Sequence, residues 1–578
     1  MDLRTPDPRI AYFSMEIAFD PAVPTYSGGL GILAGDTLRA AADLGVPMAG
    51  VSLLYRNGYF RQHIDPQGNQ MDEPYPWTPE QLLELLPVTG AVQIEGHAVR
   101  FCVWRYVVRG VNGHTIPIYL LDTGVSENDP RDCALTDTLY GGDQRYRLAQ
   151  EALLGIGGVA LLRALGHEQV ETYHMNEGHA ALLTLALLRE RLGGRPLTAA
   201  GEDDEAAVRD RCVFTVHTPV AAGHDVFPLT LGEEVLGPDM TAALELLPSH
   251  VDGHFDMTLL ALHFSRSVNA VSLRHQQVST AMYPDYTVGA VTNGVHAATW
   301  TSAPMARLFD RRIPGWRTDN NYLRQAVMLP LDELRSAHAE AKRDMIAELR
   351  RRAGVTLDPA AFTVCFARRA TGYKRADLLF SDPGRLRRIV KRAGPLHVLF
   401  GGKAHPNDES GKALIRRVWQ AAEALKKDMK VTYLDEYDFA LARYLVAGVD
   451  LWLNNPEKPL EASGTSGMKA ALNGVPSLST IDGWWVEGHI EGVTGWAIGD
   501  GPLAPSDARK EAASLYDKLE YVIMPMFYQR PNAYAEVMRS AIAFNGSFFT
   551  AQRMMEQYLV NVYRLAPGEH QINATGSR

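Results

Sequence analysis

Short apolar runs alternate along this chain with longer stretches in which apolar residues recur every three or four positions. RIAYFSMEI, VPMAGVSLLY, IPIYLLD, VETYHMN, CVFTVHT and NAVSLRH read as strands in the first half. FTVCFARR, LHVLFGGK, KVTYLDE, DLWLNN and PSLSTID read as strands in the second. Several are apolar at successive rather than alternate positions, the pattern of parallel strands covered by helices on both faces. Between them, HAALLTLALLRERLGG has helical spacing and stops at a Gly pair. The beat changes over residues 293–345, where NGVHAATWTSAP reads as a loop and LDELRSAHAEAKRDMIAELRRRAG as a long helix.

This pattern predicts an α/β protein with two doubly wound, Rossmann-like domains, residues 1–294 and 295–578. Ligands of such sheets bind outside the carboxyl ends of the strands, so two of them facing each other would enclose a cleft. After about residue 510 the chain reads as helical, and one of these helices is expected to cross back onto the first domain.

Composition adds exclusions. The net charge of −10 disfavours a nucleic-acid or membrane-surface partner, so an anionic substrate needs a local basic cluster. Cys102, Cys133, Cys212 and Cys365 form no C-x-x-C pair and read as isolated buried thiols; no metal site is expected. MDLRTPDPRIAYF has no apolar core of a signal peptide, and LLGIGGVALLRAL is short of the ~18 residues a membrane span requires. A cytoplasmic enzyme is expected.

The candidate chemistry lies at strand ends. FTVCFARRATGYKR places Arg368, Arg369, Lys374 and Arg375 in one loop, and HVLFGGKAHP places Lys403 after a Gly pair. Cations at strand ends suit phosphate, although an exposed basic loop has the same composition. In EASGTSGMKAALNG, Thr465, Ser466 and Gly467 open a helix beside Lys469. Amides at a helix start attract an anion, and a desolvated lysine forms Schiff bases. Lys469 therefore reads either as a pyridoxal phosphate attachment point or as a direct contact to a substrate phosphate. YSGGLGILAGD has Gly28, Gly29 and Gly31 without dinucleotide spacing, which allows a close anion approach or merely a tight turn.

Together and in order, these segments resemble the α-glucan (glycogen or maltodextrin) phosphorylases, retaining glycosyltransferases of the two-domain GT-B type. The resemblance runs through GGLG, YRNGYFRQ, MNEGHAAL, FTVHTP, TNGVHAATW, RRATGYKR, GGKAHP, EASGTSGMK, DGWWVE and NGSFFTAQRMMEQY. It implies phosphorolysis of terminal α-1,4-linked glucose by inorganic phosphate. It also implies pyridoxal phosphate held as a Schiff base on Lys469, with the cofactor phosphate exchanging a proton with the substrate phosphate. Arg368, Thr465 and Ser466 would hold the cofactor phosphate, and Trp300 and Tyr437 would flank its ring. Arg369, Lys374 and Gly29, with Gly28 beside it, would hold the substrate phosphate. His217, Asn293, Glu461, Ser463 and Gly464 would line the glucosyl pocket, and His179 the glucan side. A homodimer is usual in the family.

The family's Lys-Arg is Arg368-Arg369 here, its Ile-His-Glu is Ala370-Thr371-Gly372, and its Gly-Asn before Met-Lys is Ser466-Gly467. The chain begins almost at its first strand, so control by an N-terminal phosphorylation segment or by nucleotide is not expected. Two rivals remain. A glycogen-synthase-like transferase would carry a second Glu, eight positions after Glu461, to accept from a nucleotide ribose. Lys469 stands there and offers no acceptor. A silent glucan-binding homologue would have little reason to keep the basic loop. Trp484 and Trp485 fit a sugar platform or core packing equally.

Overall fold

The computed structural model describes residues 7–220 and 223–565, so the first residues of the N-terminal segment read above lie outside it. Its strands fall into two large sheets. Before residue 294 come β1 (Ile10–Ser14), β2 (Met48–Leu53), β3 (Arg61–Ile64), β4 (Gln70–Glu73), β5 (Glu84–Ile94), β6 (His97–Arg109), β7 (Thr115–Asp122), β8 (Thr172–Asn176), β9 (Cys212–Thr215), β10 (Val226–Pro228), β11 (His250–Val251), β12 (His254–Asp256), β13 (Ser267–Ala270) and β14 (Val288–Ala290). After it come β15 (Phe362–Ala367), β16 (Leu396–Gly401), β17 (Lys430–Leu434), β18 (Leu451–Asn454), β19 (Ser477–Thr480) and β20 (Gly495–Ile498).

The first sheet has nine strands in the order β14-β13-β9-β8-β1-β2-β7-β6-β5, parallel from β14 to β7 and antiparallel from β7 to β5. The second has six parallel strands in the order β17-β16-β15-β18-β19-β20. Every residue of β1, β8, β15 and β16 is buried, as strands covered on both faces require, and the polar His174 and Asn176 of β8 are hydrogen-bonded inside. In each sheet the strand order reverses once, between β1 and β8 and between β15 and β18. A reversal leaves a crevice beyond the carboxyl ends, because successive connections leave on opposite faces.

Three readings are corrected. NAVSLRH is a strand only to Ala270; Ser272 then caps the helix Leu273–Met282, its Oγ accepting from His275 N. NGVHAATWTSAP is not a plain loop: it holds the helix Ala297–Trp300 and the start of the helix Ala303–Arg312. The thiols are not all buried, since Cys102 and Cys133 are only half-buried, although all four are free. The long helix is found at Leu331–Ala353, ended by Gly354 in the left-handed region.

Two elements bridge the sheets. The hairpin β3–β4 reaches the second sheet, with Gln62 Nε2 donating to Gly402 O at 2.8 Å and Ile64 N to Asp435 Oδ2 at 2.9 Å. The terminal helix Ala551–Asn561 crosses back, as the sequence predicts. Its Met554, Met555, Tyr558 and Leu559 join a core with Leu33, Leu38 and Ala41 of the helix α1 (Gly29–Leu44). Tyr558 OH meets Thr215 Oγ1 at 3.1 Å, and Tyr563 OH meets His174 Nδ1 at 2.6 Å. No described helix is long and apolar enough to cross a membrane.

Met555 is fully enclosed (0% exposed), whereas Val560 on the same helix is 55% exposed. Met555→Ala is therefore expected to cost about 2–5 kcal/mol and lower the urea midpoint, and Val560→Ala to leave it nearly unchanged.

Candidate active site

The carboxyl ends of the central strands carry most of the candidate residues. After β1 the chain turns at Glu16, whose Oε2 accepts from Ser27 N at 2.6 Å and Gly28 N at 3.1 Å, while Oε1 accepts from Tyr140 OH at 3.0 Å. One buried carboxylate thus fixes the glycine turn. Gly31 must be bare, since a Cβ would fall 2.6 Å from Glu16 Oε2. At Gly28 and Gly29 a Cβ would meet nothing within 4 Å, so packing does not demand glycine there. Their backbone borders open space at the start of α1, where helical amides lack acceptors.

Beyond β8, β9 and β14 stand the other first-half candidates. Glu177 has a positive φ of 76°, and its Oε2 accepts from His217 N and Thr218 Oγ1, each at 3.0 Å. His217 Nε2 lies 2.7 Å from Asn176 Oδ1. Burial and the neighbouring His275, His174 and His179 lower its pKa to about 3, so the ring is neutral. His179 Nε2 lies 3.3 Å from Asp225 Oδ2, and its Nδ1 is buried without a partner. Asn293 is anchored by its backbone to Val271 O and to Arg553, while its side-chain Oδ1 is buried and unpaired.

In the second sheet, β15 ends in Arg368 and Arg369, and the segment after β18 returns Glu461 beside them. Glu461 Oε2 accepts from Arg368 Nη2 at 2.7 Å and from Lys374 Nζ at 2.5 Å. Burial alone would raise the pKa of Glu461, but the two cations overcome it and hold the group at about 2. Arg368 Nε and Nη1 and Ser463 Oγ are buried without partners. Arg369 is exposed and makes no ion pair among the described residues; Tyr59, Glu16 and Tyr140 are its electrostatic neighbours from the first half. Gly464 takes the left-handed φ of 83° that turns the chain past Glu461.

Thr465 precedes the helix Ser466–Leu472, and Ser466 Oγ accepts from Trp452 Nε1 at 3.0 Å. Gly467 has no room for a side chain, since a Cβ would lie 2.7 Å from Trp484. Lys469, on the same short helix, is only 7% exposed. Its Nζ sits 4.2 Å from the centre of the Trp300 ring. Burial lowers its pKa to about 8, Asp36 opposing and Arg39 adding to that effect. About a tenth of such an amine is neutral at pH 7, against roughly 0.03% of an ordinary lysine. Tyr437 lies under Gly401. Trp484 and Trp485 are core residues, 2% and 1% exposed, with Trp484 packed on Phe549.

The sequence reading overlooked four carboxylates that hold these groups: Glu16, Asp36, Glu177 and Asp482. Asp36 had a signal, an acid flanked by small and apolar residues on the buried face of GLGILAGDTLRAAADL. The others had none, because their partners, backbone amides and the hydroxyls of Tyr140 and Thr218, are brought together only by folding.

A family model described as carbohydrate phosphorylase matches residues 226–494. The maltodextrin phosphorylase of Thermococcus litoralis is 39% identical, over 96% of this chain and 70% of its own length. The glycogen phosphorylase of Aquifex aeolicus is 36% identical, over 96% of this chain and 86% of its own. An uncharacterized protein of Methanocaldococcus jannaschii is 32% identical, over 96% and 99% respectively. With that identity sustained along nearly its whole length, the chain belongs to the carbohydrate phosphorylase family, the α-glucan phosphorylases among the glycosyltransferases.

Proposed function

We propose that this protein is an α-1,4-glucan phosphorylase. It transfers the terminal glucosyl group of a glucan or maltooligosaccharide to inorganic phosphate and releases glucose 1-phosphate with retained configuration. In this reading residues 1–294 and 295–578 are the two domains of a GT-B enzyme, facing each other across the site. The relatives named maltodextrin and glycogen phosphorylase support the reaction class. The observation that carries the reading is Lys469, an amine buried against an indole and partly neutral at pH 7.

The family is generally dependent on pyridoxal phosphate, and the residues present fit that group. An aldehyde requires a neutral amine, and Lys469 supplies one. Its phosphate requires buried donors, and Arg368, tied to Glu461 just ahead of the Lys469 helix in the chain, has two unpaired nitrogens. Lys469 would hold the cofactor, Arg368, Thr465 and Ser466 its phosphate, and Trp300 and Tyr437 its ring. When bound, the cofactor phosphate would serve as proton donor and acceptor to the substrate phosphate.

The remaining steps belong to side chains. Arg369, Lys374 and the amide of Gly29 bind inorganic phosphate, Gly28 leaving the approach clear. Of the four cations in this loop Arg375 is paired with Glu511, and the other three against the carboxylate of Glu461 leave a net positive charge that offsets phosphate repulsion. The neutral His217 faces the glucosyl unit as a hydrogen-bonding group, not as an acid. Asn293 Oδ1, Ser463 Oγ and Glu461, with the turn at Gly464, orient its hydroxyls, and His179 stands on the glucan side. Asp482 Oδ2 fixes Glu461 by accepting its backbone N–H at 2.9 Å. We place the enzyme in the cytoplasm.

Lys469→Ala is expected to abolish both phosphorolysis and cofactor retention, read by glucose 1-phosphate release and by absorbance after dialysis. Activity surviving in that variant would refute the reading. Arg369→Ala is expected to raise KM for phosphate about 10- to 100-fold while changing KM for maltooligosaccharide far less, since a hydrogen bond to a charged group is worth roughly 1.5–3 kcal/mol. Equal rises in both would count against its role.

Burial, with Glu461 nearby, raises the pKa of Asp482 to about 6 from the ordinary 3.8. A raised carboxyl penalises the folded state wherever the group is ionised, so the cost is present above pH 6 and gone below 3.8. Asp482→Asn should therefore melt above the parent at pH 8 and level with it near pH 3.5; a gain that persisted at low pH would contradict the assignment.

A further inference from the structure

We propose that Asp36 is a positioning residue for Lys469: it fixes the edge of the Trp300 indole beneath the amine and ties the glycine-turn helix of the first half to the lysine helix of the second. Asp36 lies in α1 and is 1% exposed. Its Oδ2 accepts from Trp300 Nε1 at 2.7 Å and its Oδ1 from Arg39 Nη1 at 3.2 Å. Arg39 is held in turn by Ala18 O at 3.0 Å and Phe19 O at 2.8 Å, and its guanidinium lies 5.5 Å from the Phe439 ring centre. Phe439 meets Trp300 edge-on at 5.0 Å, and its backbone N donates to Tyr26 OH at 2.7 Å.

The backbone of Trp300 is fixed from the other side. Asn473 Nδ2 donates to Trp300 O at 2.8 Å and to Lys469 O at 3.1 Å. With its backbone tied to the lysine helix, Trp300 has its ring plane set by Asp36 at the indole edge and Phe439 against its side. Without an acceptor the buried indole N–H would be left unpaired, which favours a rotated ring and removes the electron-rich face from Lys469. The charged groups acting on the amine, Asp36 and Arg39, both stand on α1. The placement and basicity of Lys469 therefore depend on the helix that begins at the glycine turn. The inference rests on the proposed function only in taking Lys469 as the cofactor lysine.

The test uses the full-length chain treated with hydroxylamine and dialysed. Reductive methylation with formaldehyde across pH, read at Lys469 by peptide mass spectrometry, reports the amine without any cofactor. Asp36→Asn keeps an acceptor for Trp300 but removes the charge, so half-modification should move about half a pH unit lower. Asp36→Ala leaves the Trp300 N–H without its acceptor and Arg39 without its carboxylate, and should also reduce pyridoxal phosphate retained after reloading and dialysis at least fivefold. Asp43→Asn is the control, since Asp43 pairs with His296 elsewhere on α1. Both Asp36 variants matching the parent in methylation profile and in retention would overturn the proposal; if Asp36→Ala fails to fold, Trp300→Phe, which keeps an aromatic ring but removes the N–H that Asp36 accepts, takes its place, and parent-like retention in that variant would overturn the proposal. A parent chain that neither retains pyridoxal phosphate nor is fixed to it by borohydride would instead overturn the proposed function, leaving the methylation comparison intact.

Discussion

The site depends on keeping one ammonium-forming group out of water without an ion pair of its own. Burying a charge is costly unless something compensates, and Lys469 meets an aromatic face where a carboxylate would be usual. An indole stabilises a cation more weakly than a carboxylate does, so the amine loses its proton more readily than one held in a salt bridge. Lys342 shows the contrast within the same molecule: it is equally buried, but its Nζ lies 2.6 Å from Asp450 Oδ2. One lysine faces an aromatic ring and the other is held in a buried ion pair.

Around this amine the polar groups are incompletely satisfied in a consistent way. Arg368 Nε and Nη1, Ser463 Oγ, Asn293 Oδ1, Asp482 Oδ1 and His179 Nδ1 are buried and unpaired, and all lie on the segments that follow the strand ends. Folded proteins ordinarily pair such atoms, and leaving them open costs stability. Apart from that of Asp482, which holds Glu461, they belong to the residues proposed to meet substrate and cofactor, and a hydroxyl-rich and phosphorylated set of ligands would complete them. Glu461 meanwhile neutralises part of the basic loop and keeps it folded at neutral pH.

Much of the architecture could be read from the chain. FTVCFARR and LHVLFGGK were clear because a strand buried on both faces is an unbroken apolar run, and the cations after it mark the carboxyl end. Other elements were hidden for physical reasons. β5 alternates in burial from Leu86 to Ile94, but only Val92 and Ile94 are fully buried, and Pro87, Gly90 and Ala91 blur the apolar–polar alternation in the sequence, so the outer edge of the first sheet gave little signal. The helix Ala297–Trp300 is a single turn, too short for periodicity to show. Asp36 and Trp300 are 264 residues apart, and no local pattern reports a bond of that span. Trp484 and Trp485 looked equally suited to sugar or core, and only the packing of Phe549 and Gly488 against Trp484 settles them inside.

The returning terminal helix has a consequence for biosynthesis. The nine-stranded sheet is complete by residue 290, yet the apolar face of α1 is covered by residues 551–565. A ribosome adding roughly 5–20 residues per second leaves that face without its cover for tens of seconds. During synthesis the nascent amino-terminal half therefore carries an oily surface open to solvent, of the kind that makes partly folded chains prone to aggregate.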